Sequence, residues 1–318
     1  MSTKAKEKRQ SDRWVVLALA GVSLLMSYII FQSIKDRLFS TIPAFAEVLI
    51  EDVAGGQAVA PVIIPGVETV SVKFESQKIK YPIKYLQWRG LMATYKVPTE
   101  SLQPFALPSF VLAKSVQGTS EILLSAMTYK DENEKDLFSE VALFVRAQFL
   151  DSQNRLVSIL HPLFELTNHP VDLNRSIFLY HFPKVLSEVK MVDRGNSVDY
   201  QISIKNQNVF KIEGKKVLGA SGAVVESSIA SRMGNEIVLS KFDMEHRLYG
   251  DSVTGGELLI KWGHHPLGAV LKKIISGVRP SWYRFIADGY GALSKPGLQG
   301  TITPDFNGTG YLVSKKSY

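Results

Sequence analysis

The chain of 318 residues contains no cysteine, which excludes disulfides, thiolate nucleophiles and cysteine-ligated metal while leaving the redox compartment open. It contains no G-x-G-x-x-G and no G-x-x-x-x-G-K-[ST] segment, so it lacks the glycine loops that cradle nucleotide phosphates. Gly219-Ala220-Ser221-Gly222 fails the G-x-S-x-G spacing of a nucleophile elbow. His264 and His265 are adjacent, so on a strand they point to opposite faces, and no third ligand is spaced to join them. A turn before Pro266 is their expected setting, and no metal or cofactor is expected. The acidic run Asp131, Glu132, Glu134 and Asp136 reads as a solvated loop. Two glycosylation sequons, at Asn174 and Asn307, are close to chance for this length.

A basic surface is also missing. The net charge of +7 is concentrated at the ends: residues 1–13 carry net +3, and Lys315 and Lys316 add two more positive charges. Little excess charge remains for the body of the chain, so nucleic acid is not an expected partner.

Residues 14–31 form an 18-residue run without charge, Trp14 to Phe31, long enough at about 1.5 Å per residue to approach the thickness of a bilayer core. Trp14 and Tyr28 lie near its ends, where amphipathic rings favour the interface. Five Lys/Arg precede the run, and Lys35 and Arg37 follow it, which orients the N-terminus to the cytoplasm and the rest of the chain to the periplasmic or lumenal side. A cleaved signal peptide is the rival reading. Ala44-Phe45-Ala46 is the nearby small-x-small site, and it lies far beyond the run for cleavage, which favours an uncleaved anchor.

Residues 32–80 read as a tether, with a short apolar helix over 38–50, extended chain over 58–67 and a strand over 70–74. From residue 81 short strands recur: 91–97, 121–129, 140–150, 156–166, 185–192, 198–204, 209–212, 236–242 and 257–262. Arg194-Gly195-Asn196 suits a hairpin turn. Residues 267–275 and 282–293 read as helices separated by Gly277 and Pro280, and 296–318 as a loose tail. Many strands followed by helices predict a mainly β domain, a barrel or curved sheet with helical additions.

Within this domain, Tyr180-His181-Phe182-Pro183-Lys184-Val185-Leu186 places a lysine among side chains that favour burial. Burial lowers a lysine's pKa, and a neutral lysine is a nucleophile; the alternative is a lysine that snorkels to water. The order of several segments resembles the acetoacetate decarboxylase family. Phe138-Ser139-Glu140 resembles its aromatic-x-Glu ahead of a buried strand, and Phe182-Pro183-Lys184 its aromatic-Pro-Lys. Arg89 with Tyr95-Lys96 resembles its opening segment. Thr254-Gly255, Leu258 and His265-Pro266-Leu267 resemble its closing region.

The resemblance covers roughly residues 81–295 and implies a conical β-barrel around an apolar pocket, here preceded by one transmembrane helix. It implies that Lys184 is a Schiff-base nucleophile, with Glu140 positioning substrate or moving protons and Arg89 engaging a substrate carboxylate. Phe182 and Ser125 would line the substrate site, Ser125 standing where the family has a second glutamate. Val185 replaces the family's second lysine, and a valine there favours desolvation of Lys184. The implied ligand is acetoacetate or another small β-keto acid or carbonyl compound, and members of the family often assemble as homo-oligomers. The alternative function is a non-catalytic small-molecule-binding barrel of the cell envelope, or a structural envelope protein.

Overall fold

The computed structural model describes residues 49–53, 59–73, 77–105, 110–132, 137–151, 155–217, 219, 222–233, 236–252, 258–304 and 311–314. The apolar run 14–31 and the basic tail before it lie outside the described residues, as does much of the tether. Among the described residues no helix is long and apolar enough to cross a membrane.

Strands β1 (Ile83–Pro98), β2 (Thr119–Asp131), β3 (Phe138–Leu150) and β4 (Leu156–Thr167) form an antiparallel meander. Helix α1 (Pro170–Phe178) and the short strands β5 (Lys184–Leu186) and β6 (Glu188–Asp193) follow. Then come β7 (Ser197–Ile204), β8 (Gln207–Lys215), β9 (Ala223–Met233) and β10 (Glu236–Ser252). The chain continues with β11 (Leu258–Trp262), α2 (Pro266–Ile275), β12 (Trp282–Leu293) and β13 (Gly297–Pro304).

Seven strands close a barrel in the order β1-β2-β3-β4-β9-β10-β12, with β12 returning to β1. The seam between β4 and β9 is parallel and joins at Leu160 and Ile229, and β5 adds to β4 in parallel. A four-stranded antiparallel sheet, β6-β7-β8-β11, covers part of the barrel's outer face.

Period-two alternation makes the two faces of each barrel strand apolar for different reasons. On β2, Ile122, Leu124 and Ala126 pack outward against the second sheet, while Leu123, Ser125 and Tyr129 face the barrel interior. On β3, Val141, Leu143 and Val145 point outward, and Phe138, Glu140 and Phe144 point inward. Tyr200, Ile202, Phe210 and Ile212 of the second sheet complete the outer core. Each fully buried side chain of this size contributes about 1.5–3 kcal/mol relative to exposure.

Several elements differ from the sequence expectation: the described end of the helix expected over 38–50 is strand Leu49–Val53, paired with Gln77–Tyr81, and neither α1 nor β9 was expected. Residues 282–293, read as a helix, form strand β12, paired with β10 on one side and β1 on the other. Its apolar positions fit both periods, and ladder hydrogen bonds on both edges decide the outcome for this aromatic-rich segment. The stretch 185–192, read as one strand, breaks at Ser187 so that β5 joins the barrel and β6 the second sheet. Part of the 296–318 segment, read as a loose tail, is strand β13, which pairs with β10. The helix over Pro266–Ile275 matches its sequence reading, with His265 as N-cap accepting from the Leu267 N–H.

Gly289 on β12 sets one wall of the barrel. A Cβ there would stand 2.0 Å from Trp88 Nε1, so the indole lies directly against the glycine backbone. Gly289→Ala is expected to destabilise the protein by about 1–3 kcal/mol through overpacking. A thermal melt with tryptophan fluorescence detects both the loss and the displaced indole.

Candidate active site

Lys184 reaches the interior because three local features aim it there. The chain leaves α1 at Leu179, turns through His181 at a left-handed φ of 53°, and bonds the Phe182 N–H to the Ser176 carbonyl. A tight turn at Pro183 bonds the Lys184 N–H to the Phe182 carbonyl. Strand β5 then pairs Lys184 with Glu165 and Val185 with Leu166. Alternation sends Lys184 inward and Val185 into the outer core. Val185 is thus a packing residue of the opposite face and does not desolvate the Lys184 ammonium.

The lysine is 3% exposed and meets three carboxylates. Nζ lies 2.5 Å from Glu140 Oε2, 2.8 Å from Asp172 Oδ2 and 2.9 Å from Glu165 Oε2, the last as an ion pair out of hydrogen-bond alignment. Asp172 comes from the first turn of α1 and Arg175 from its last turn. The Arg175 guanidinium donates to Asp131 at 2.9 Å and to Asp172 at 3.4 Å, with all three groups buried. Asp131, read as part of a solvated loop, instead anchors this network.

The electrostatics reverse the expectation of a neutral lysine. Burial alone pulls the Lys184 pKa down, but Asp172, Glu140 and Glu165 together raise it well above the usual lysine value. Burial pushes the Glu165 carboxyl up to about 8 despite the pull of Lys184, and it raises Glu140 in the same way. Burial also acts to raise Asp172, but Lys184 and Arg175 overcome it and hold that carboxyl below its ordinary value. The resting site therefore holds an ammonium, an ionised aspartate and two glutamates poised to carry a proton.

Glu165 is protonated in the folded state and ionised in the unfolded state between its ordinary value of 4.5 and about 8. Stability attached to it is complete below pH 4.5 and is lost as pH rises toward 8. Glu165→Gln is expected to remove that decline. The variant should melt above the parent at pH 8, and the gap should close in acid.

The cluster forms the polar floor of a cavity of about 70 Å³ whose walls include Trp88, Met92, Tyr129, Phe144, Phe182 and Ile229. Of the residues expected at the site, Lys184, Glu140, Phe182 and Ser125 all line this cavity. Arg89 does not. It sits on the other face of β1 from Trp88, beside Asp193 and Tyr200 of the second sheet, and its carbonyl accepts from the Tyr200 hydroxyl at 3.3 Å. Strand alternation next to the inward Trp88 is the reason.

Glu165, Asp172 and Arg175 are the residues that sequence reasoning missed. Helix α1 carries two of them, and Pro170 at its first turn after His169 was a usable start signal. Glu165 turns inward because a bulge at Leu163–Phe164 shifts the parity of β4: Leu160 and Glu165 face the cavity, whereas Phe164 and Leu166 face the outer core. Among the described residues no group of His, Cys, Asp or Glu is arranged to hold a metal ion.

No profile of a known protein family matches the sequence, and no curated protein matches it. Solved structures do match in fold. The chain is similar to the enduracididine biosynthesis enzyme MppR complexed with pyruvate, at 12% identity and TM-score 0.51, covering 69% of this chain and 91% of that one. It is similar to an acetoacetate decarboxylase at 11% identity and TM-score 0.50, covering 68% and 88%. The acetoacetate decarboxylase from Legionella pneumophila matches at 11% identity and TM-score 0.48, over 69% and 88%. At these identities the likeness is one of fold: the chain has an acetoacetate-decarboxylase-like barrel.

Proposed function

We propose that this barrel performs lysine-dependent carbonyl chemistry of the carbon–carbon lyase type, with Lys184 forming an iminium on a ketone or aldehyde. The observation that carries the reading is the buried Lys184 Nζ in contact with Glu140 and Glu165 at the floor of an apolar cavity. Proton transfer from the ammonium to ionised Glu140 yields the neutral amine without water entering, while Glu165, protonated below about pH 8, is the proton donor of the site. That amine attacks the carbonyl carbon, a glutamate returns the proton to the carbinolamine hydroxyl, and water leaves to give the iminium. Where the substrate is a β-keto acid, carbon dioxide departs and its bond electrons enter the iminium to form an enamine. A glutamate then protonates the enamine carbon, and water hydrolyses the product off the lysine. Ionised Asp172 stays fixed throughout by Arg175 and balances the cationic intermediate.

Incubating the full-length protein with acetoacetate and borohydride tests this reading. An intact mass increase by one reduced adduct supports it. Released carbon dioxide identifies decarboxylation, and an adduct without carbon dioxide points to another carbonyl reaction of the same lysine.

A second reading, a non-catalytic ligand-binding barrel, is favoured by one observation: three carboxylates raise the Lys184 pKa well above its usual value. It predicts ligand binding with no reducible adduct at any pH.

The location of this chemistry is also a proposal. Residues 14–31 anchor the chain and place the barrel on the periplasmic or lumenal side. A reporter active only in the cytoplasm, fused after Tyr318, is expected to be silent, and signal from it contradicts this orientation.

A further inference from the structure

A second and larger space borders the cavity at Lys184, toward the end of the barrel where Lys96 and Arg146 are exposed to solvent. This vestibule, of about 730 Å³, shares Met92, Leu123, Leu160, Ser227 and Met244 with the inner cavity. Those shared side chains form a mainly apolar collar between the two. The inner space alone, about 70 Å³, leaves little room beyond a reacting carbonyl and its immediate neighbours.

Charge divides the two spaces differently. The inner cavity is bordered by Glu140, Glu165 and Asp172, and Lys184 is its one cationic lining residue. Arg175 behind it is committed to Asp131 and Asp172, and Arg89 faces the second sheet. A ligand carboxylate placed beside the reacting carbonyl therefore meets three acidic side chains and has no guanidinium to receive it. The vestibule has the opposite bias on one wall. There Lys96 on β1 and Arg146 on β3 flank Glu121 on β2; Lys96 stands directly across from Glu121, and Arg146 forms an ion pair with it. Two solvent-exposed cations flank one carboxylate there, so the row carries net positive charge toward an anionic guest. Glu226 also borders the vestibule, but on β9 the inward positions are Val225 and Ser227. Glu140 and Arg146 lie six residues apart on β3, about 20 Å along a strand at roughly 3.3 Å per residue.

From this geometry we infer that the substrate class is an extended carbonyl compound: a neutral ketone or aldehyde end at Lys184, an apolar chain through the collar, and a distal carboxylate at Arg146 and Lys96. The inference rests on the iminium reading of Lys184 and names the ligand that reading leaves open. It sets this chain apart from an enzyme for a short β-keto acid. Acetoacetate would bring its carboxylate into the acidic inner cavity and leave the collar and the vestibule cations without a contact.

The test is borohydride trapping on the full-length protein with methyl ketones of two kinds. One series carries a terminal carboxylate at growing distance: acetoacetate, levulinate, and the oxo-octanoate and oxododecanoate whose ketone is on the penultimate carbon. The other series consists of neutral methyl ketones of matched length. Adduct yield is expected to rise up to about fivefold from levulinate to the oxododecanoate, the scale of a contact with a solvent-exposed cation, with acetoacetate the poorest of the acids. Arg146→Gln is expected to lower the yield ratio of the oxododecanoate to its matched neutral ketone toward one. Highest yield with acetoacetate, yield independent of length, or an unchanged ratio in Arg146→Gln overturns the inference while leaving the iminium intact. Absence of adduct with every probe, neutral ketones included, overturns the iminium reading and this inference with it.

Discussion

Replacing Lys184 with methionine is expected to abolish the reducible adduct completely and to cost about 3–5 kcal/mol of stability at neutral pH. Methionine matches the volume and apolar stem of lysine, so packing in the barrel floor is retained. The ammonium is lost, and Glu140, Glu165 and Asp172, which all contact it, then face one another across a dry cavity. Their relief is protonation: without the ammonium all three carboxyl pKa values rise relative to the parent. A raised carboxyl pKa contributes stability below its unfolded value and loses it as pH climbs to the folded value. The deficit of the variant is therefore smallest in acid and largest above pH 8, where even Glu165 is ionised in the parent. Urea denaturation at both extremes measures it. A deficit that is the same at acid and alkaline pH contradicts the three-carboxylate cluster as the source of the loss.

Replacing Arg175 with leucine is expected to be similarly severe, about 3–5 kcal/mol, because it removes the guanidinium shared by two buried carboxylates, Asp131 and Asp172. The effect reaches the chemistry through Asp172. With Arg175 gone, burial is opposed by Lys184 with less help, so the Asp172 carboxyl rises. A protonated Asp172 no longer balances a cation at Nζ, and the iminium loses its fixed counter-charge. The variant is expected to trap ketones poorly even under conditions where circular dichroism shows it folded. Arg175→Lys, which retains charge without the forked geometry, is expected to recover stability in part. Full trapping in a folded Arg175→Leu protein would show that Asp172 has no part in stabilising the cation.

Strands β2 and β3 were legible in the sequence because their alternation is strong, with Ile122, Leu124, Val141, Leu143 and Val145 all facing one core, whereas β9 was not read as a strand and β12 was read as a helix. Lys184 was legible from its apolar neighbours in the chain, and Glu140 from the resemblance of Phe138-Ser139-Glu140 to a family segment. Glu165 has apolar neighbours too, Phe164 and Leu166. Its direction depends on the bulge at Leu163–Phe164, and nothing in Leu163-Phe164-Glu165-Leu166 announces a one-residue parity change. Arg89 fails by the same rule in reverse, since one step from the inward Trp88 places it on the outer face.

The protonation state of Lys184 lay furthest from the sequence. Burial was readable from its neighbours in the chain, and burial alone favours the neutral amine. The three carboxylates that reverse this come from β3, β4 and α1, at positions 140, 165 and 172. Only the closed barrel brings them to one point. Helix α1 shows a further limit. Its nine residues bury Asp172, Asn174, Arg175 and Ser176 together with Leu173 and Ile177, so no clean polar face marks it in the sequence.

The most direct test of Lys184 as the reactive group is peptide mapping after borohydride reduction in the presence of a methyl ketone. Surface lysines such as Lys78, Lys190 and Lys241 are available as internal controls in the same digest. The expected result is a single reduced adduct on the peptide that contains Lys184, formed in the parent and missing in Lys184→Met. Adducts spread over the surface lysines, with Lys184 recovered unmodified, would contradict an iminium-forming site in this barrel.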